Sequence, residues 1–124
     1  MNIEEQFIAY LREQKLSCQK TEKQLIIDER KDEANLCRIE ANIYDIFEIL
    51  FQTAVHEKEK NGGDFAKAEA VFLAKAKAVP SNWKKSYEAA KEHQDAGKLL
   101  IEETKLSVVA KIMEEYKRER GVKE

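Results

Sequence analysis

The sequence predicts an all-α fold, a bundle of four to five helices with one unusually long central helix. The 124 residues include a single proline and four glycines, so little interrupts regular backbone structure. Charged residues make up 37% of the chain, which is typical of helices with solvated outer faces. Apolar residues recur at steps of three and four, the spacing of a buried helix face. The length predicts one helical domain over residues 1–124.

The first predicted helix covers residues 3–16. Ile3, Phe7 and Leu11 lie on one face of it, and acidic residues cluster at its start. Ser17 is suited to cap a new helix directly afterwards, so one interpretation places a break there. Apolar residues nevertheless keep the same helical spacing beyond Ser17, which favours an uninterrupted helix.

Residues 25–55 form the most apolar and most regularly helical stretch of the chain. No proline or glycine precedes Asn61, so we expect one continuous helix from about Ser17 to Lys58. Such a helix would be roughly 60 Å long, whereas a domain of this size has a radius of gyration near ~14 Å. It would therefore protrude and pair with a second chain. The alternative is a break near Asp32, a residue that caps helices well.

Three shorter helices are predicted after the long one. Gly62 and Gly63 adopt left-handed conformations easily and mark the end of the long helix. Asp64, Ser81 and Asp95 are each suited to cap the helix that follows. The apolar stripes of these helices are Phe65, Ala68, Phe72, Ala76 and Val79; then Trp83, Tyr87 and Ala90; then Leu99, Leu106, Val109, Ile112, Met113 and Tyr116. Residues from about 117 to 124 are expected to form a solvated, frayed tail.

Charge and hydropathy exclude several classes of partner. The 22 basic residues are balanced by 24 acidic ones, so the chain has no general attraction for nucleic acid. No apolar run is long enough to cross a membrane, and the first residues do not resemble a signal peptide. We therefore expect a cytoplasmic protein with no nucleic-acid or membrane partner.

The two cysteines, Cys18 and Cys37, are predicted to be reduced and structural. If they share one helix, they lie about 28 Å apart at 1.5 Å per residue, too far for a disulfide. Their spacing matches no zinc motif. The chain also has no glycine-flanked serine and no glycine-rich phosphate loop, and we expect it not to be an enzyme.

Three carboxylates occupy positions where the helical pattern calls for apolar side chains: Glu29, Asp32 and Glu102. If the last helix lies antiparallel to the long one, these oxygens could meet and hold Mg²⁺, Mn²⁺ or Ca²⁺. The alternative is that Glu29 and Asp32 are solvated and that Glu102 pairs with Lys105. Because burying unpaired carboxylates is costly, we favour the solvated arrangement and expect no bound cofactor.

The wide apolar face of the long helix suggests a role in assembly. Tyr44, Phe47, Phe51 and Val55 lie on that face, which one short partner helix could not cover. We expect these residues to form an interface with a second chain, most simply in a homodimer. The favoured function is a non-enzymatic assembly or protein-interaction module, with a cation- or small-ligand-binding bundle as the first alternative and an unrecognised enzyme as the second.

Overall fold

The computed structural model describes residues 2–60 and 62–121, except for the side chains of residues 59 and 60. Within them the chain forms five α-helices and no strand. The helices are α1 (Ile3–Ile27), α2 (Lys31–Lys60), α3 (Phe65–Ala78), α4 (Ser81–Glu92) and α5 (Ala96–Arg120). The all-α class and the bundle of four to five helices are confirmed. Helix α5 includes the first part of the expected tail, and residues 122–124 lie outside the described part.

The chain turns between α1 and α2, so the continuous helix from Ser17 to Lys58 is wrong and the alternative break near Asp32 is correct. Asp32 does not cap α2, however, because it lies inside the first turn of that helix. Glu29 has a φ of 61°, a left-handed conformation that ends α1 without a glycine. The Arg30 amide then donates to the Leu25 carbonyl at 2.8 Å, which closes the turn. Helix α2 has 30 residues against 25 in both α1 and α5, so no helix is exceptionally long.

Because of this turn, α1 and α2 pack against each other as an antiparallel hairpin. Three ion pairs between the two helices define its register: Arg12 Nε to Glu48 Oε2 at 3.1 Å, Lys15 Nζ to Asp45 Oδ1 at 2.7 Å, and Lys58 Nζ to Glu4 Oε1 at 2.5 Å. Partly exposed pairs of this kind contribute only about 0–1 kcal/mol each. Apolar packing must therefore hold most of the hairpin together.

An aromatic cluster joins four of the five helices. It consists of Phe7 from α1, Phe51 from α2, Phe72 from α3 and Tyr116 from α5. All six pairs of ring centroids lie between 4.8 and 6.0 Å apart, and most pairs meet edge to face. Such pairs add about 0.5–1.5 kcal/mol each beyond the burial of their surface. This cluster is the centre of the core.

The residues expected at an interface with a second chain lie in the core of their own chain, which corrects that assignment. Tyr44, Phe47 and Phe51 are only 4%, 0% and 1% exposed, and half-buried Val55 packs against the same core. The physical reason is the turn before α2. It folds α1 back over the apolar face of α2, and α3 and α5 cover the rest of that face.

The structure predicts that Phe51 is needed for folding, not for holding two chains together. Phe51→Ala should lower the free energy of unfolding by about 3–5 kcal/mol, because it removes one ring from the aromatic cluster and leaves a cavity. Urea denaturation followed by circular dichroism measures this change. Ile49→Ala is the matched control, since Ile49 is 55% exposed on the same helix and should change stability by only about 0.5 kcal/mol. Equal losses in the two variants would contradict the core assignment.

Candidate functional site

Side-chain hydrogen bonds link helices α3 and α5 near one end of each. At the joined end, the Tyr116 hydroxyl donates to Glu69 Oε2 at 2.6 Å, and Arg120 Nε donates to the same oxygen at 2.5 Å. Along both helices, no Cα atom of α3 comes within 8 Å of a Cα atom of α5. Beyond the Glu69 contacts, the side chains leave a groove between the two helices.

This α3–α5 groove encloses about 410 Å³ and is mostly apolar. Its lining residues are Leu73, Ala76, Lys77, Pro80, Lys84, Leu106, Val109, Ala110, Met113 and Lys117. Leu73 is 39% exposed and Ala110 is also exposed, so apolar surface in the groove is accessible to solvent. The described lining contains three lysines and no acidic side chain, which makes the groove basic as well as apolar.

Local sequence explains why the groove ends where it does. Pro80 has no N–H to continue α3, and the chain turns there into α4. Ser81 was expected to cap α4, and this prediction is wrong. Pro80 occupies the cap position, and the Ser81 hydroxyl donates backward to the Ala78 carbonyl at 2.7 Å. Pro80 and Lys84 consequently lie at the α4 side of the groove.

The joint between α3 and α5 depends on the ionised form of Glu69. The hydrogen bond from Arg120 is the main cause that lowers the pKa of Glu69, and the hydrogen bond from Tyr116 lowers it further. Burial opposes this shift but does not cancel it. In turn, burial and the contact with Glu69 raise the pKa of Tyr116, so its hydroxyl stays protonated and remains a donor.

A second cavity, of about 470 Å³, lies between α1, α2 and α5, and both Cys18 and Cys37 line it. The expected distance of 28 Å between the two cysteines assumed that they share one helix. Cys18 lies in α1 and Cys37 in α2, so the hairpin brings them to the same cavity and the expected distance is wrong. Both thiols are free. Burial, and then the nearby Glu40, raises the pKa of Cys18 to about 11, and the thiol lies 3.7 Å from Glu40 Oε2. A thiol with so high a pKa is a poor nucleophile.

The structure does not bring the three candidate metal ligands together. Glu29 and Asp32 are exposed at the turn between α1 and α2, whereas Glu102 is 6% exposed within α5. Lys105 Nζ lies 3.4 Å from Glu102 Oε1, as the alternative interpretation predicted. No three histidine, cysteine, aspartate or glutamate side chains of the described chain form a group that could hold a metal ion. Binding of Mg²⁺, Mn²⁺ or Ca²⁺ stays a prediction without geometric support.

The α3–α5 groove was not predicted from the sequence. Periodicity identifies the apolar residues of each helix but does not say whether two helices pack closely or stand apart. One usable signal was present. Leu73 and Ala110 are apolar residues outside the buried stripes of their helices, and Lys77 and Lys84 accompany them.

Comparisons with family models, curated proteins and solved structures gave no match to the chain. Among the described residues, no helix has the length and apolar character needed to cross a bilayer. Function must therefore be inferred from the chain's own surfaces.

We predict that Glu69 makes stability depend on pH on the acid side. Because its pKa is lower in the folded state, it stabilises the fold above its ordinary pKa, and this contribution is lost as the pH falls through the folded-state value. Glu69→Gln should therefore lower the free energy of unfolding by about 1–2 kcal/mol at neutral pH. The loss should become progressively smaller as the pH falls.

Urea unfolding from neutral pH down to about pH 3 tests this prediction. The control is Glu103→Gln, which alters an exposed glutamate of α5. If the difference in free energy of unfolding between wild type and Glu69→Gln stayed constant over this pH range, the role of ionised Glu69 would be contradicted.

Proposed function

We propose that the chain is a non-enzymatic protein-interaction module whose α3–α5 groove binds a helical segment of a partner. The observation that carries this proposal is an accessible apolar groove beside a core that is already complete. Concentrated apolar surface on a folded domain is typical of a protein-binding site. A groove between two helices suits the apolar face of a third, which is a common mode of peptide recognition.

The residues of the groove suit this role in three ways. Ala110 is small and exposed, so it lets a partner helix approach closely. Met113 is flexible and polarisable, so it can adapt to different apolar side chains. Lys77 and Lys84 can cover apolar surface with their stems while their ammonium groups contact acidic residues of the partner. The preferred partner is therefore an amphipathic helix with acidic residues along its edges.

We also propose that the protein works in the cytoplasm, in keeping with its free cysteines, because a reducing compartment maintains thiols. A homodimer remains compatible with the module, although it cannot use the buried face of α2 while the chain keeps this fold.

Selection from a library of displayed helical peptides tests the groove without knowledge of the natural partner. Peptides about 15 residues long, roughly four helical turns, are selected on the folded protein. We expect peptides with an apolar stripe and acidic flanks, and Ala110→Arg should weaken their binding at least about tenfold by filling the groove. Arginine is a good helix former, so this exposed position should tolerate it.

Ile49→Arg serves as the matched control, because it places the same charge at an exposed position of α2 that does not line the groove. Selected peptides should bind this variant as they bind wild type. Failure to obtain any peptide that Ala110→Arg weakens selectively would contradict the proposed site.

A further inference from the structure

The turn between α1 and α2 carries exposed apolar surface. We call residues 26–33 the hairpin tip. Ile26 is 52% exposed and Ile27 is 73% exposed, the highest value among the exposed large apolar side chains of the described chain. Both lie in the last turn of α1. The contact of α1 with Tyr116 of α5 is made by Phe7, near the other end of the helix. Neither residue belongs to the core cluster of the chain or packs against it.

The hairpin tip also carries a net negative charge. Its four acidic residues are Asp28, Glu29, Asp32 and Glu33, and its two basic residues are Arg30 and Lys31, so the net charge is −2. The Arg30 guanidinium is already engaged, since it pairs with Glu33 in two hydrogen bonds of 3.1 and 2.5 Å. Asp28, Glu29 and Asp32 remain exposed around the two isoleucines.

The α3–α5 groove has the opposite charge and the same apolar character. It combines apolar walls, including Leu73 and Ala110, with three lysines and no acid among its described lining residues. The tip is therefore apolar and acidic where the groove is apolar and basic. Complementary potentials of this kind select a partner and orient it during encounter.

We propose that the hairpin tip of one chain docks into the α3–α5 groove of a second copy. Ile26 and Ile27 enter the apolar part of the groove, and the carboxylates around them face Lys77 and Lys84. This inference rests on the proposed function of the groove and names its occupant, because Ile26 and Ile27 belong to the last helical turn of α1. A single contact then accounts for both the exposed isoleucines and the open groove.

The contact joins two different surfaces, so each copy carries one of each. Two copies can exchange tips about a two-fold axis and close, or further copies can add in a row. One tip in one groove is a small interface, so we expect association with a dissociation constant on the order of micromolar. High salt should weaken it, because opposite charges face each other at its rim.

Sedimentation of single variants and of their mixture tests this arrangement. Ile27→Asp alters the tip, and Ala110→Arg fills the groove. We expect wild type to associate and each variant alone to remain monomeric. An equimolar mixture should form a one-to-one pair and nothing larger, because the intact tip of Ala110→Arg can enter the intact groove of Ile27→Asp.

These results separate the arrangement from a contact between like surfaces. If tips paired with tips, Ala110→Arg alone would still associate, and if grooves paired with grooves, Ile27→Asp alone would still associate. Both substitutions are at exposed positions, and unchanged thermal melts will show that each variant is folded. Ile49→Asp is the control and should associate as wild type does.

Wild type that stays monomeric well above micromolar concentration, or a mixture that fails to pair, would overturn the docking of a second copy. The displayed peptides separate this failure from failure of the groove itself. If they still bind in a manner that depends on Ala110, the groove binds a different protein and only the identity of its occupant is wrong. If neither peptide nor second copy binds, both proposals fail.

Discussion

The edge-to-face contacts of Phe7, Phe51, Phe72 and Tyr116 are the interaction on which the rest of the structure depends. Each ring comes from a different helix, and every ring lies within 6.0 Å of the other three. Together the four rings connect α1, α2, α3 and α5 at one point. Loss of one ring therefore loosens four helices at once, whereas the surface ion pairs each join only two.

The position of this cluster also determines where the groove lies. Tyr116 packs its ring into the cluster and donates its hydroxyl to Glu69, so α3 and α5 are held together at that level. Beyond it, the groove opens over buried Ala76 and Val109, and exposed Ala110 is too small to fill it. The groove thus lies beside the aromatic cluster, above core residues that both helices bury. The hairpin tip, formed by the end of α1 and the start of α2, lies outside the core as well.

Much of the fold could be predicted because each helix carries its own signals. Asp64 and Asp95 were predicted as caps, and their carboxylates accept from the amides of Ala66 and Lys98. The turn before α2 could not be placed with certainty, because Glu29 adopts a left-handed conformation that residue preference alone does not favour. The burial of Phe47 and the groove both depend on how helices pair, which periodicity within one helix does not record.

The most direct test of a core completed within one chain is a nuclear Overhauser experiment on a mixture of labelled and unlabelled protein, with filters that separate contacts within a chain from contacts between chains. We predict that the contacts of Phe7 with Phe72 and of Phe51 with Tyr116 appear only within a chain. Aromatic contacts found only between chains would contradict the account, because the core would then require a second copy.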